Sequence, residues 1–336
     1  MKILITGATG FLGQYIVKLL ASEDNTIYYL TRSLDKNIFS DLPNVIALSG
    51  DITHLDVIRN DDINRVNALL EVEVVIHAAA LYDLEATHSE CFLQNVVGTQ
   101  NIIHLMDKMI ALKAFYHIST IAVGDSNSFF LDEKTLPPRK QFNDFYSETK
   151  YLAEQIVRES ALEKKYVTRI IRPGIVIGDS KTKLMPKIDG PYYFIEAFKK
   201  YSKILRYLPV VALSFNPRSK IPMIPVDHCT EFLTILIKRD DYQEKVKTYH
   251  LISDELPTIE DFLGDLNKAF GLKTVYIPVK ENVIHRSLLK ILGVPKEVIP
   301  FMFSRISYDK TNTLLDLPEI KKSTYSSYKD ILFKKI

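Results

Sequence analysis

Cysteine is nearly absent from the 336 residues. Cys91 and Cys229 stand far apart and outside any CxxC pattern, which excludes a disulfide framework or a thiolate zinc site and fits a reducing, cytoplasmic compartment. The eight histidines form no HExxH or HxxxH spacing, so no metal is expected. An excess of one charge is missing too. The 43 basic and 41 acidic residues leave a net charge of +2, which gives no overall field for nucleic acid or an anionic membrane. Lys199-Lys200 and Lys334-Lys335 are local clusters that read as solvated faces, because tracking phosphates takes many convergent cations. No apolar run approaches the roughly 20 residues needed to cross a bilayer. Met1 to Ile5 starts like an export signal, but Gly7, Gly10 and Gly13 interrupt it. Repeats and low-complexity tracts are also lacking, and 46% hydrophobic with 25% charged residues is ordinary globular usage.

Alternation fills the first half. Residues 2 to 6 form a short apolar run, followed by a glycine turn and by Tyr15, Ile16, Leu19 and Leu20 at helical spacing. Strand-like runs recur at Thr26 to Thr31, Val45 to Leu48, Val72 to His77, Ala114 to Ser119 and Thr168 to Ile177, with helical patterns over 88 to 110 and Phe145 to Leu162. Parallel strands need crossover connections, so the pattern predicts an α/β fold: a doubly wound parallel sheet of Rossmann type with a smaller C-terminal substrate lobe. The rhythm breaks after Gly178, where prolines punctuate the chain. The nucleotide domain is expected to cover residues 1–180 and about 224–255, and the substrate lobe about 181–223 and 256–336.

Gly7, Gly10 and Gly13, in the run Thr6-Gly7-Ala8-Thr9-Gly10-Phe11-Leu12-Gly13, follow a strand and open a helix. Glycine permits the tight turn and lets a pyrophosphate approach the backbone, and the helix offers free N–H groups and its positive end. At the end of the second strand an acid would bond the ribose 2′-OH of NAD; this chain has Thr31-Arg32-Ser33. Arg32 suits a 2′-phosphate, so NADPH (NADP+) is favoured over NAD(H), the alternative being that Arg32 is a plain surface residue.

Tyr146-Ser147-Glu148-Thr149-Lys150 sets a phenol and an ammonium on one helical face. Alone, that spacing is common on surface helices. Ser119-Thr120 at the end of a preceding strand adds a hydroxyl to it. A tyrosine, with its pKa near ~10, exchanges protons poorly at neutral pH, and a nearby Lys⁺ stabilises the phenolate. Lys150 also suits a nicotinamide ribose, while Thr120 or Ser119 polarises a substrate carbonyl beside Tyr146.

With these motifs in place, the chain resembles the extended short-chain dehydrogenase/reductase superfamily over at least residues 1–255. The resemblance implies an adenine contact for Asp51 and Ile52 in Gly50-Asp51-Ile52, and a cofactor lining from Ala78, Ala79 and Ala80 after His77. It also matches Asn95 to the family's helix asparagine and Pro173, Gly174 and Val176 to the loop beside the nicotinamide. Thr9, Phe11 and Leu12 join the glycines around the pyrophosphate. His117-Ile118-Ser119-Thr120 and Arg172 to Ser180 are most similar to the thioester-reductase and fatty acyl-CoA reductase branch, which implies Thr120 as the third member of the triad. The implied reaction is hydride delivery to a thioester carbonyl of a hydrophobic acyl substrate. After Ser180 the sequence Lys181-Thr182-Lys183-Leu184 departs from that branch's threonine-glycine turn, and an attached carrier-protein domain is not expected. A hydroxysteroid-like dehydrogenase, a nucleotide-sugar epimerase or dehydratase, and a redox-sensing binding protein remain the alternatives.

Tyr192, Tyr193, Phe194 and Ile195 read either as an acyl channel or as the lobe's own core. Ile284, Leu288, Ile291 and Leu292 repeat at helical spacing, which suits a core-facing or dimer-facing helix, or a lid with peripheral membrane contact. Cys91 reads as a buried thiol. Monomer and homodimer both remain open.

Overall fold

The computed structural model describes residues 1–35, 38–59, 67–83, 86–124, 129–138, 141–142, 144–182, 190–239, 241, 243–280, 293–318 and 323–333. The expected helix around Ile284 to Leu292, the Lys334-Lys335 pair and Lys183-Leu184 lie outside these residues.

In chain order, β1 (Lys2–Thr6), α1 (Phe11–Ala21), β2 (Thr26–Thr31), β3 (Val45–Ser49) and β4 (Val74–His77) alternate as the apolar runs require. Next comes α2, one continuous helix made of His88–Cys91, a π segment Phe92–Val97, and Gly98–Met106. Then follow β5 (Ala114–Ile118), the short β6 (Phe130–Leu131), α3 (Phe145–Ala161), β7 (Val167–Pro173), β8 (Ile175–Ile177) and α4 (Pro191–Leu205). The remainder is β9 (Val210–Ser214), β10 (Met223–Pro225), α5 (Val226–Arg239), β11 (Val246–Leu251), α6 (Ile259–Phe270), β12 (Val275–Val279), β13 (Ser307–Tyr308), α7 (Thr311–Asp316) and α8 (Tyr325–Phe333).

Seven strands form one sheet in the order β11-β7-β5-β4-β1-β2-β3, every pair parallel. Strand pleating sends alternate side chains to opposite faces. Ile3 and Ile5 therefore join Ile16, Val17 and Leu20 of α1 and Leu233 and Leu236 of α5 in one core. Leu4 joins Ile102 and Met106 of α2 and Val157 of α3 in the other. Each such buried aliphatic side chain contributes about 1.5–3 kcal/mol relative to exposure. With both faces covered, the strands read as continuous apolar runs rather than alternating ones.

The expected single strand from Thr168 to Ile177 is two. Gly174 turns the chain out of the sheet: a Cβ there would stand 2.3 Å from the Pro222 carbonyl oxygen. Gly174 N donates to Leu251 O at 2.9 Å and Ile175 N to Pro222 O at 2.8 Å, so β8 pairs with β10 in a separate ribbon. Beyond that turn lies a further core, built on Phe198, Phe215, Met223, Phe262 and Tyr328. Tyr192, Phe194 and Ile195 are buried in it and Tyr193 is half-buried, which makes this aromatic run part of the lobe's core. The Tyr192 hydroxyl accepts Gly178 N at 2.9 Å. Cys91 and Cys229 are both buried, and burial pushes the Cys229 thiol up to about 12.

Candidate active site

Because all seven strands run parallel, their carboxyl ends share one edge. Gly7, Arg32, Asp51, Ala78, Ser119 and Pro173 all stand at or just beyond those ends. Strand order reverses between β1 and β4, and such a switch point is where doubly wound sheets bind ligands.

The glycine turn fills that crevice. Gly7 has φ +72° and sits so close to the next strand that a Cβ would lie 2.5 Å from Ala79 N. Gly10 N donates to Gly7 O at 3.0 Å, and a Cβ on Gly13 would lie 2.1 Å from the same oxygen. Gly10 is the N-cap of α1 with no side-chain cap, and the first turn holds no acid. The leading amides, on Phe11, Leu12 and Gly13, are therefore left for an anion. Thr9 and Gly10 are exposed beside them. Free amides of this kind suit an anionic group, and at positions 7 and 13 the close packing admits only glycine.

On the far side, Arg32 is exposed at the end of β2. Asp51 accepts the amide and hydroxyl of Thr53, both at 2.9 Å. Burial works against its charge, but those bonds and the Arg32 guanidinium hold the carboxyl below its ordinary value. Ile52 is buried, and its carbonyl accepts Asn101 Nδ2 at 2.8 Å.

Behind the crevice runs a buried hydrogen-bond chain whose proton positions are settled by its ends. Ala79 N donates to Thr6 Oγ1 (3.3 Å), and Thr6 Oγ1 lies 2.7 Å from His77 Nδ1. His77 Nε2 lies 3.1 Å from Thr99 Oγ1, which donates to the Asn95 carbonyl at 2.6 Å. The Thr99 proton goes to Asn95, so His77 must donate through Nε2 and accept at Nδ1 from Thr6. Burial, then the charge of Lys150, pushes His77 down to about 3, in keeping with that neutral tautomer. Asn95 lies in the π segment of α2, a distortion frequent at functional sites. Its side chain bonds Leu81 N (2.7 Å), Leu81 O (3.2 Å) and Thr149 Oγ1 (2.9 Å), joining the loop after β4 to α3.

Helix α3 carries the rest. Asp144 caps it by accepting Ser147 N at 2.7 Å. Tyr146, Lys150, Glu154 and Arg158 then follow at intervals of four along one face. Lys150 is 2% exposed and donates to the Ile118 carbonyl at 2.6 Å. Burial brings its ammonium down to about 8, against the opposing pull of Glu154. Tyr146 is half-buried, and Tyr82 meets its ring edge-on with centroids 4.6 Å apart. Thr120 is buried at the end of β5, and its Oγ1 accepts Ala122 N at 3.2 Å, leaving the hydroxyl proton to donate. Ser119 is engaged elsewhere: its hydroxyl donates to Glu154 Oε2 at 2.6 Å. Glu154 also takes Arg172 Nε at 3.0 Å and Arg172 Nη2 at 2.5 Å, beneath the site. Pro173 is buried, and Gly174 and Val176 are half-buried at the β7–β8 turn.

Sequence reasoning missed Glu154 and Arg158, although the four-residue ladder from Tyr146 signals them. Tyr82 and the His77 chain carry no such signal, since tertiary contact alone makes them part of the site.

A family model described as male sterility protein matches residues 5–233, more than half of the chain. The 3-beta-hydroxysteroid dehydrogenase of Mycolicibacterium neoaurum is 28% identical over 197 residues, covering 56% of this chain and 50% of its own. Fatty acyl-CoA reductase 1 of Xenopus laevis is 28% identical over 261 residues, 61% of this chain and 50% of its own. The chain thus spans about half the length of these curated relatives. Among solved structures, the terminal R domain from the myxalamid PKS-NRPS biosynthetic pathway superimposes with a TM-score of 0.76. Its sequence is 23% identical, and the match covers 99% of this chain and 90% of that one. The glycine turn and the Tyr146/Lys150 helix both fall within the matched residues, and the chain belongs to the male sterility protein family, among the extended short-chain dehydrogenases/reductases.

Proposed function

We propose that this chain is an NADPH-dependent reductase that takes an acyl thioester, as acyl-CoA or acyl-carrier, to the aldehyde, a second cycle giving the alcohol. The observation that carries the reading is the 2.6 Å bond from Lys150 Nζ to the Ile118 carbonyl. It draws the helix bearing Tyr146 onto the strand end bearing Thr120, beside the glycine cradle. The leading amides of α1 hold the pyrophosphate, and Arg32 takes the 2′-phosphate. Asp51 and Ile52 border the adenine, with Ala78 to Ala80, Pro173, Gly174 and Val176 lining the remainder.

Bound there, NADPH supplies a hydride. Tyr146 gives its proton to the substrate carbonyl oxygen as the carbon is reduced, and the Thr120 hydroxyl donates to that same oxygen. Lys150 stabilises the phenolate left on Tyr146. The product at this stage is a hemithioacetal. Its C–S bond then breaks, the hydroxyl proton leaves, and the sulfur departs as a thiol, leaving the aldehyde. Ser119 serves as a positioning residue through Glu154.

A second reading, oxidation of a hydroxysteroid-like alcohol by the same triad, is favoured by the name of the Mycolicibacterium relative. One assay separates the two. NADPH consumption is followed with a chain-length series of acyl-CoAs and with ketones and ketosteroids, NAD(P)+ reduction is followed with hydroxysteroids, and products are identified. Thioester-dependent turnover that Tyr146→Phe abolishes supports the proposal; turnover on ketones or steroids with none on any thioester overturns it.

A further inference from the structure

Far along the chain, β9 and β12 form a two-stranded parallel ribbon with Val275 opposite Val210 and Ile277 opposite Ala212. Its inner face enters the lobe's core through Leu213 and Tyr276. Among the described residues nothing covers the outer face: Val210 is 51%, Val275 60% and Ile277 48% exposed, and Ala212 between them is exposed as well. The end of α4 adjoins it, tied by Val275 N to Pro209 O at 2.9 Å and by Thr274 Oγ1 to Leu205 O at 3.1 Å. That end adds exposed Ile204, Leu208 and Tyr207, the last at 83%.

The charge around this patch is one-sided. Residues 197–214 and 271–280 contain six cations and no acid, whereas the whole chain is nearly balanced. Lys199, Lys203, Arg206, Lys273 and Lys280 are exposed, and among the described residues none of them pairs with a carboxylate. Unpaired cations beside uncovered apolar side chains make a surface complementary to an anionic, apolar partner. The outer ribbon face also offers no side-chain hydrogen-bonding group. A protein partner would ordinarily find about one hydrogen bond per 100–200 Å², whereas a bilayer requires none there.

We propose that this face, the β9–β12 ribbon with the end of α4, seats the protein on anionic lipid membranes, the aliphatic side chains and Tyr207 entering the interface and the cations meeting the headgroups. Such docking would bring the enzyme to the phase into which hydrophobic acyl groups partition.

Co-sedimentation of the whole protein with phosphatidylcholine vesicles, with and without roughly a third phosphatidylglycerol, tests it. Binding is expected to the anionic vesicles and to weaken with salt. Lys203→Gln with Arg206→Gln should weaken it roughly tenfold or more, and Val275→Asn with Ile277→Asn should do the same, with circular dichroism and thermal unfolding unchanged. Absence of binding to anionic vesicles overturns the proposal, as does binding that both double variants retain. A wild-type mass that rises with concentration, without vesicle binding, and falls back in Tyr207→Ser would overturn it in favour of a second copy of this chain. Turnover is not read, so failure here leaves the proposed reaction untouched.

Discussion

Ser119 gives its hydroxyl proton to Glu154 at 2.6 Å, and this bond occupies one of two adjacent hydroxyls. Thr120, next in sequence, spends only a lone pair on Ala122 N. Thr120→Ala is therefore expected to lower kcat by roughly 10²–10³, the cost of removing one donor to a developing oxyanion, while Thr120→Ser recovers most of it. Ser119→Ala should act mainly on stability. Steady-state kinetics beside thermal unfolding of the three variants checks this, and equal kcat losses in both alanine variants would refute the division.

Lys150 titrates at about 8 instead of its ordinary 10.5 because burial disfavours its charge. Turnover that needs the charged form should fall as pH rises through about 8. Stability moves the other way: between about 8 and 10.5 the unfolded chain binds more protons at this group, so its contribution rises with pH. Activity is thus expected to decline in a pH range where the cost of burying Lys150 is falling. A pH–rate profile overlaid on urea midpoints reads both, and a rate that stays flat through that range would sink the assignment.

Arg32 stands exposed at the end of β2, the place proposed above for a 2′-phosphate. Replacing it by Ala removes a charge-assisted bond of roughly 1.5–3 kcal/mol, so the KM for NADPH should rise about tenfold or more. NADH should be little affected, because its ribose carries no phosphate. Comparable losses with both nucleotides would place Arg32 outside the cofactor site.

Glu154 lies fully buried between Arg172 and Arg158. Burial alone would raise its carboxyl; the Arg172 charge and hydrogen bonds, then the Arg158 charge and the Ser119 bond, instead hold it at about 2. The stability this gives is present above the ordinary 4.5 and is lost as pH falls toward about 2. Glu154→Gln should cost about 3–5 kcal/mol by leaving buried guanidinium groups uncompensated, and the variant's stability should vary less with pH across that window. Urea unfolding at a series of acidic pH values measures both effects.

Much of this molecule is local and was therefore legible in the residues alone. The run from Lys2 to Thr6, the glycines at 7, 10 and 13, and the four-residue step from Tyr146 to Lys150 each declare themselves within a dozen positions, because strand and helix periodicities act over that range. Alternating elements then imply parallel strands, which bring every strand end to one edge. What lies beyond that range took the fold to decide. Gly174 ends a strand because Pro222 passes against it, and Ser119 differs from Thr120 because Glu154 comes up from another element. The charged ladder on α3 points inward, where a sequence reading expects solvent, because Arg172 of β7 waits beneath it. Lys199-Lys200 read as a solvated pair, and both are exposed. Helix and strand propensities act between near neighbours, whereas burial and partnership depend on residues that meet only once the chain has folded.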